Sequence, residues 1–118
     1  MKTEWLDAIF YCLCLHHPRP VHYTDIAEWI DRKRLRPPIA HPEATVNHRL
    51  RDSMRDDPYS PFRDFGDGVY GLSDVGNELC AEDREIILKR IRGINRYHDR
   101  LAAARKRSRD AGSEYEGQ

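Results

Sequence analysis

The segment that decides the fold reads FRDFGDGVYGL and runs from Phe62 to Leu72. Aromatic and β-branched residues stand on both sides of Gly66-Asp67-Gly68. Such runs around a glycine turn are typical of two antiparallel strands joined as a β-hairpin. Helical patterns precede and follow this hairpin, so we expect a mainly α fold with one small β-hairpin.

Two helices are predicted before residue 37. Residues 4–16 carry apolar side chains at helical spacing, which predicts a buried first helix that ends before Pro18. Val21-His22-Tyr23 then forms a short extended piece, and Thr24 is a suitable N-cap for the second helix. Pro37-Pro38 end that helix, because the residue before a proline is pushed out of the α region.

A third helix is predicted from Pro42, which suits the first helical position, to about Asp57-Pro58. At about 100° per residue, Val46, Leu50 and Met54 form its buried stripe. The opposite side carries hydrogen-bonding side chains. These are His41, Thr45, His48, Asp52 and Arg55, flanked by Asn47, Arg49 and Arg51.

The predicted order of helix, short strand, helix, helix and hairpin is that of a winged helix. In this variant of the helix-turn-helix the third helix usually enters the major groove and the hairpin forms the wing. We therefore assign residues 1–72 to a winged-helix DNA-binding domain and 73–109 to a C-terminal helical extension. Residues 110–118 contain Gly, Ser and acidic residues and are expected to be a disordered tail.

The extension has an apolar seam, which consists of Ile87, Ile91, Ile94, His98 and Leu101. Gly76 and Gly93 each weaken a helix by about 1 kcal/mol relative to alanine, so we expect a break near Ala81. Three interpretations stay open: a dimerising helix that gives a homodimer, a DNA-binding arm, or a solvated helix. The seam favours the first because something must cover it, although the first helix of the same chain would also do so.

Opposite charges balance over the chain but not along it. The 118 residues contain 20 Lys+Arg and 20 Asp+Glu, and the mean hydropathy is −0.83. Residues 32–55 nevertheless carry a net charge of +5, and residues 89–109 a net charge of +8. Because the Debye length is about 8 Å at physiological salt, a local basic face can attract phosphate even on a neutral molecule.

The residue pattern predicts that the protein is not an enzyme. A chain of 13.9 kDa has room for one domain plus an appendage and is too short for most two-domain enzymes. The sequence contains no catalytic triad, no phosphate-binding loop and no metal-ligand spacing. We expect no catalytic residues, no metal and no cofactor.

Cysteine usage and the N-terminal sequence bear on the compartment. Cys12, Cys14 and Cys80 are odd in number and unlike the disulfide framework of a secreted domain, so a reducing cytosol is the simpler interpretation. Met1-Lys2-Thr3-Glu4 lacks the features of a signal peptide, and no stretch approaches the ~20 apolar residues of a membrane span. We expect a cytoplasmic protein, nucleoid-associated if bacterial, with no membrane partner.

Residues 4–72 resemble the HARE-type helix-turn-helix family, which is a winged-helix module. Three segments carry the resemblance: Val21-His22-Tyr23, Thr45-Val46-Asn47-His48-Arg49-Leu50, and Phe62 with Gly66-Asp67-Gly68-Val69-Tyr70-Gly71-Leu72. Gly71-Leu72-Ser73-Asp74-Val75-Gly76 is also similar to the end of the winged-helix modules of Mrr-type restriction enzymes. The chain departs from the family at His41, where Ser or Thr is more usual before the proline. The resemblance implies double-stranded DNA binding and recognition of modified cytosine, methyl or carboxyl, in restriction, defence or transcription regulation.

The predicted DNA contacts fall into two groups. Base contacts are expected from Thr45, Asn47, His48, Arg51, Asp52 and Arg55. Phosphate contacts are expected from Lys33, Arg34, Arg36, His41, Arg49 and Arg63. Asp52 either accepts a hydrogen bond from cytosine N4 or turns toward an arginine, because a carboxylate that faces DNA without such a bond is costly. The alternative function is a protein–protein interaction or dimerisation module on a winged-helix scaffold, with a metal-dependent nuclease as a more distant alternative.

Overall fold

The computed structural model describes the backbone of residues 3–116 and the side chains of residues 3–110. Helices and one small sheet follow each other in the predicted order, so the predicted class, mainly α with a small β-hairpin and a C-terminal helical extension, is confirmed. The elements are α1 (Trp5–His16), β1 (Val21–His22), α2 (Tyr23–Arg32), α3 (Pro42–Asp56), β2 (Phe62–Gly66), β3 (Val69–Leu72) and α4 (Asp74–Glu116).

The sheet is antiparallel, with β3 between β1 and β2. The hairpin turn has positive φ at both central residues, +55° at Asp67 and +78° at Gly68, as a type I′ turn requires. A Cβ atom at Gly68 would lie 2.8 Å from His22 Nε2, so only glycine fits the turn against β1. The predicted hairpin is therefore confirmed, and its turn packs on the start of α2.

The second helix begins two residues earlier than predicted, at Tyr23. Its N-cap is His22, whose Nδ1 accepts a hydrogen bond from the Thr24 backbone N–H at 3.2 Å. The prediction of Thr24 as the N-cap is thus wrong, because His22 caps the helix through the Thr24 N–H and Thr24 itself lies within the helix. His22 thus has the structural role of a helix cap.

The first three helices share one hydrophobic core. Ile9 and Leu13 of α1 are buried at its centre. Val46 and Leu50 of α3 are fully buried, and Met54 packs against the core as a half-buried residue. The predicted buried stripe of α3 is confirmed, and it orients the opposite side of this helix toward solvent.

The last helix is continuous, so the predicted break near Ala81 is wrong. Gly76 lies in the first turn, where a Cβ atom would stand 2.1 Å from the Pro61 carbonyl oxygen. This glycine allows close packing and does not interrupt the helix. The seam residues Ile87, Ile91 and Ile94 are buried in the core of the same chain, where α4 packs on α1. The seam therefore needs no second copy to cover it.

The helix also continues past Arg109 to Glu116, where the sequence predicted a disordered tail from residue 110. The stretch from Leu101 to Arg107 consists of leucine, alanine, arginine and lysine, which are strong helix formers, and it carries the helix forward. Residues 117–118 of the predicted tail lie outside the described residues. Within the described part of the chain, no helix is long and apolar enough to cross a membrane.

A disulfide between Cys14 and Cys80 ties α1 to α4. The odd number of cysteines favoured a reducing environment and did not predict this pair. The two residues are 66 positions apart, and only the packing of α4 on α1 brings their Cα atoms to 5.4 Å. Cys12 is the free cysteine and is buried.

Candidate nucleic-acid interface

The candidate interface is the solvent-facing side of α3 and the adjoining hairpin. His48, Arg49 and Arg51 are exposed on this side, and no ion pair or side-chain hydrogen bond occupies them within the described part of the chain. Thr45 is half-buried on the same side. Three hydrogen-bonding side chains within about one turn of the helix are thus free to meet a ligand.

Asn47 connects α3 to the sheet. The Tyr70 hydroxyl donates a 2.7 Å hydrogen bond to Asn47 Oδ1, and Tyr70 itself is buried. This bond leaves the amide nitrogen of Asn47 as a donor. The side chain borders a polar cleft of about 370 Å³ between α3 and the hairpin, which Arg51, Asp64 and His22 also line. The sheet therefore fixes the orientation of Asn47 before any ligand binds.

Arg55 and Asp52 are paired with each other. Arg55 Nη2 lies 3.0 Å from Asp52 Oδ1, and Arg55 Nε donates a 2.8 Å hydrogen bond to Asp56 Oδ1. The hydrogen bond and the charge of Asp56 raise the pKa of Arg55, and the same hydrogen bond lowers the pKa of Asp56. Asp52 has thus turned toward an arginine, which was the second of the two predicted alternatives. Two carboxylates neutralise Arg55, so it is less available to a ligand than Arg51.

The basic loop between α2 and α3 is held on α4. Arg34 Nη1 lies 2.7 Å from Asp99 Oδ1, and the Lys33 carbonyl accepts a hydrogen bond from Asn95 Nδ2 at 3.3 Å. The side chain of Lys33 is exposed and forms no ion pair with the described residues. Of these two predicted phosphate contacts, Lys33 is therefore free and Arg34 is engaged within the chain.

Arg36 is engaged more deeply. Its guanidinium lies 5.4 Å from the centroid of the Trp5 ring, and Nη1 donates a 3.0 Å hydrogen bond to the Thr3 carbonyl. The Nε atom is buried without a hydrogen-bond partner among the described residues. These contacts anchor the loop on the N-terminus of the domain, which the charge pattern alone did not predict.

The hairpin presents a cation beside an aromatic ring. Arg63 stacks over Phe65 at 5.2 Å from the ring centroid, and Phe65 is 51% exposed. A Cβ atom at Gly71 would lie 2.7 Å from Phe65 Cε2, so this glycine makes room for the ring. Asp64 Oδ1 accepts a 2.7 Å hydrogen bond from the Gly66 N–H, which commits its carboxylate to the turn. Phe65 was not among the predicted site residues, although strand alternation places it on the face opposite the buried Phe62.

His41 precedes α3 and is exposed. Its side chain makes no N-cap hydrogen bond, and its Nδ1 lies 3.9 Å from Glu43 Oε1. The first backbone amides of α3 therefore lack a side-chain cap from His41. Three of the predicted phosphate contacts have exposed side chains and, among the described residues, lack the kind of contact that anchors Arg34 and Arg36. These three are Lys33, His41 and Arg49.

Comparisons of the chain with protein-family models, with curated proteins and with solved structures found no match. The resemblance to the HARE-type family accordingly stays a prediction, and the case for a binding site rests on the geometry of α3 and the hairpin.

Proposed function

We propose that this protein binds double-stranded DNA, with α3 in the major groove and the hairpin beside the phosphate backbone. One observation carries the proposal: the buried stripe of Val46 and Leu50 leaves three α3 side chains exposed and without ion pairs among the described residues, namely His48, Arg49 and Arg51. Of these, Arg51 borders the cleft beside the hairpin. Side chains of this kind on one exposed helix face match the donors that read base edges and hold phosphates.

The structure supports a division of roles within the proposed interface. Arg51 is the candidate for a bidentate contact with guanine O6 and N7, and the amide nitrogen of the pre-oriented Asn47 is a candidate donor to a base. Arg49, Lys33 and Arg63 are candidates for phosphate contacts. Arg55 and Asp52 hold each other, so in this proposal they position α3 and do not read bases.

The chemical target follows from the same cations. A 5-carboxyl group on cytosine adds a negative charge in the major groove, and a charge-assisted hydrogen bond from His48 or Arg51 would favour it over an unmodified base. We therefore propose modified cytosine as the preferred target, without a catalytic role. The family resemblance supports this target, and the free cations on α3 supply the chemistry.

The test is fluorescence anisotropy of labelled duplexes with unmodified, 5-methyl- and 5-carboxylcytosine, each titrated at two salt concentrations. Arg51→Ala should weaken binding to the preferred duplex by about 1–3 kcal/mol and relax the preference. Lys33→Ala should weaken all duplexes alike and reduce the salt slope by about one. Arg92→Ala, which removes the same charge from an exposed position on α4, is the matched control and should leave the preference intact.

Two results would overturn the proposal. The first is binding that disappears with salt on every duplex and responds equally to Arg51→Ala and Arg92→Ala, because it would indicate only a basic surface. The second is the absence of DNA binding at low salt, which would support the alternative of a protein-interaction module.

A further inference from the structure

The helix α4 carries a second apolar stripe that the core does not cover. Leu79, Ile86 and Tyr97 are 39%, 58% and 47% exposed. At about 100° per residue they fall on one side of α4, next to the buried seam but turned away from it. Val75 and Gly93 lie on the same side and are half-buried. A stripe of this kind on a helix is a surface for another apolar element.

The stripe borders a groove between α1 and α4. This groove has a volume of about 480 Å³ and is lined by Leu6 and Phe10 of α1 together with Leu79 and Ile86 of α4. Leu6 is also partly exposed, at 39%. The uncovered apolar surface therefore extends from α4 onto α1 and is concave.

The stripe is symmetric about Ile86. Leu79 and Gly93 each lie seven residues from Ile86, and Val75 and Tyr97 each lie eleven residues from it. If two α4 helices run antiparallel with Ile86 against Ile86, each Leu79 meets a glycine and each Val75 meets a tyrosine. A large side chain thus faces a smaller one at every level except the central one, where Ile86 meets its own copy, and such a self-complementary pattern is what a two-fold interface requires.

The charges beside the stripe have the same symmetry with opposite signs. Glu82 and Asp83 precede Ile86, whereas Lys89 and Arg90 follow it. These four side chains form no ion pairs within the described residues, although Arg90 donates one hydrogen bond to the Tyr11 hydroxyl at 2.6 Å. At about 100° per residue, Glu82 and Lys89 lie on one flank of the stripe, and Asp83 and Arg90 lie on the other. An antiparallel pair therefore brings Glu82 of one helix against Lys89 of the other, and Asp83 against Arg90, whereas a parallel pair would bring like charges together.

We infer that a second copy of this chain covers this face and that two α4 helices pair antiparallel about Ile86. This dimer differs from the one that the sequence predicted, because the seam of Ile87, Ile91 and Ile94 faces the chain's own core. The inference does not depend on DNA binding. The apolar stripe consists of few side chains, so the interface is expected to be smaller than the ~800 Å² per partner of a standard interface and the dimer to be concentration-dependent.

The test is sedimentation velocity of the full chain over a range of concentrations. The wild type should shift from monomer to dimer, and Ile86→Glu should remain monomeric with an unchanged circular dichroism spectrum, because Ile86 is outside the core. A wild type that is monomeric up to millimolar concentration would overturn the inference.

Charge reversal tests the antiparallel register. Glu82→Lys or Lys89→Glu alone should weaken dimerisation, and since an exposed ion pair is worth about 2–5-fold and occurs twice, the loss should be roughly tenfold. The double variant E82K/K89E restores opposite charges across the two-fold axis and should recover most of that loss. Arg92→Glu, on the other side of α4, is the control and should have little effect. A double variant weaker than either single variant would overturn the antiparallel arrangement.

Discussion

Cys12 is the residue whose chemistry the fold changes most. Its side chain is fully buried in α1, and its sulfur lies 3.7 Å from His16 Nδ1. Burial raises the pKa of the Cys12 thiol to about 12, although the positive charge of Arg32 opposes the shift. The thiol therefore stays protonated and unreactive at pH values where an exposed cysteine forms a thiolate.

This shift makes the free energy of unfolding depend on pH. The unfolded thiol ionises near pH 9 and the folded thiol near pH 12, so the contribution of Cys12 to stability is complete below pH 9 and is lost as the pH rises toward 12. Between pH 9 and 11 the unfolding free energy of the wild type should fall more steeply than that of Cys12→Ala in urea titrations. Parallel pH profiles of the two proteins would contradict the burial of this thiol.

Single residues also mark the limit of what the sequence could predict about the candidate site. The pattern identified the outward side chains of α3 and framed two alternatives for Asp52, but only the structure pairs it with Arg55. Arg36 carries the charge expected of a phosphate contact, yet its guanidinium stacks on Trp5. Which partner a long charged side chain meets depends on distant parts of the chain, and local spacing does not contain that information.

At the scale of elements, the start of α4 is a packed junction. The Ser73 side chain accepts a 3.2 Å hydrogen bond from the Gly76 N–H and donates a 2.6 Å hydrogen bond to the Ser60 carbonyl. The Ser73 N–H donates to the Pro61 carbonyl at 2.9 Å. Ser73 thus caps the helix as serine does at many N-termini, and it joins α4 to the segment that precedes the hairpin.

Gly76→Ala should destabilise the protein, although alanine is the better helix former by about 1 kcal/mol. The added Cβ atom would lie 2.1 Å from the Pro61 carbonyl oxygen, so the backbone of one segment has to move. We expect a net loss of roughly 1–3 kcal/mol in the free energy of unfolding, measured by urea denaturation. Glu78→Ala, at an exposed position of the same helix, is the control and should change stability by no more than about 0.5 kcal/mol. A Gly76→Ala protein as stable as the wild type would show that α4 is not packed on Pro61.

The elements themselves were largely predictable. Prolines at both ends and the apolar stripe of Val46 and Leu50 predicted α3. The Asp67-Gly68 turn predicted the hairpin. Both elements could be predicted because these signals act within a few residues. The continuity of α4 was not predictable. A helix-propensity argument treats Gly76 as a weak point, whereas a contact with Pro61, which is distant along the chain, explains why a glycine stands there.

At the scale of the whole molecule, the packing of α4 on α1 decides which surfaces remain free. The seam of Ile87, Ile91 and Ile94 faces α1, and the side of α4 that carries Ile86 stays exposed. The sequence contained both apolar stripes, but it could not show which of them the same chain covers. Which stripe is covered is decided by tertiary packing. For this reason the dimer interface that we infer lies on the stripe about Ile86 and not on the predicted seam.

The Cys14–Cys80 disulfide fixes the same packing and allows a test of it. A disulfide that closes a loop over 66 residues lowers the conformational entropy of the unfolded chain, and this stabilises the folded protein by about 4 kcal/mol in the chain-entropy model. Reduction should therefore lower the Tm by roughly 10–20 °C. Both sulfurs are buried, so mild reductant should act slowly on the native protein and rapidly in denaturant. Thiol counting in denaturant without reductant should find Cys12 alone, and the variant with Cys14→Ala and Cys80→Ala should melt where the reduced wild type does. Three reactive thiols without reductant, or equal melting of the oxidised and reduced protein, would show that the disulfide does not hold α1 and α4 together.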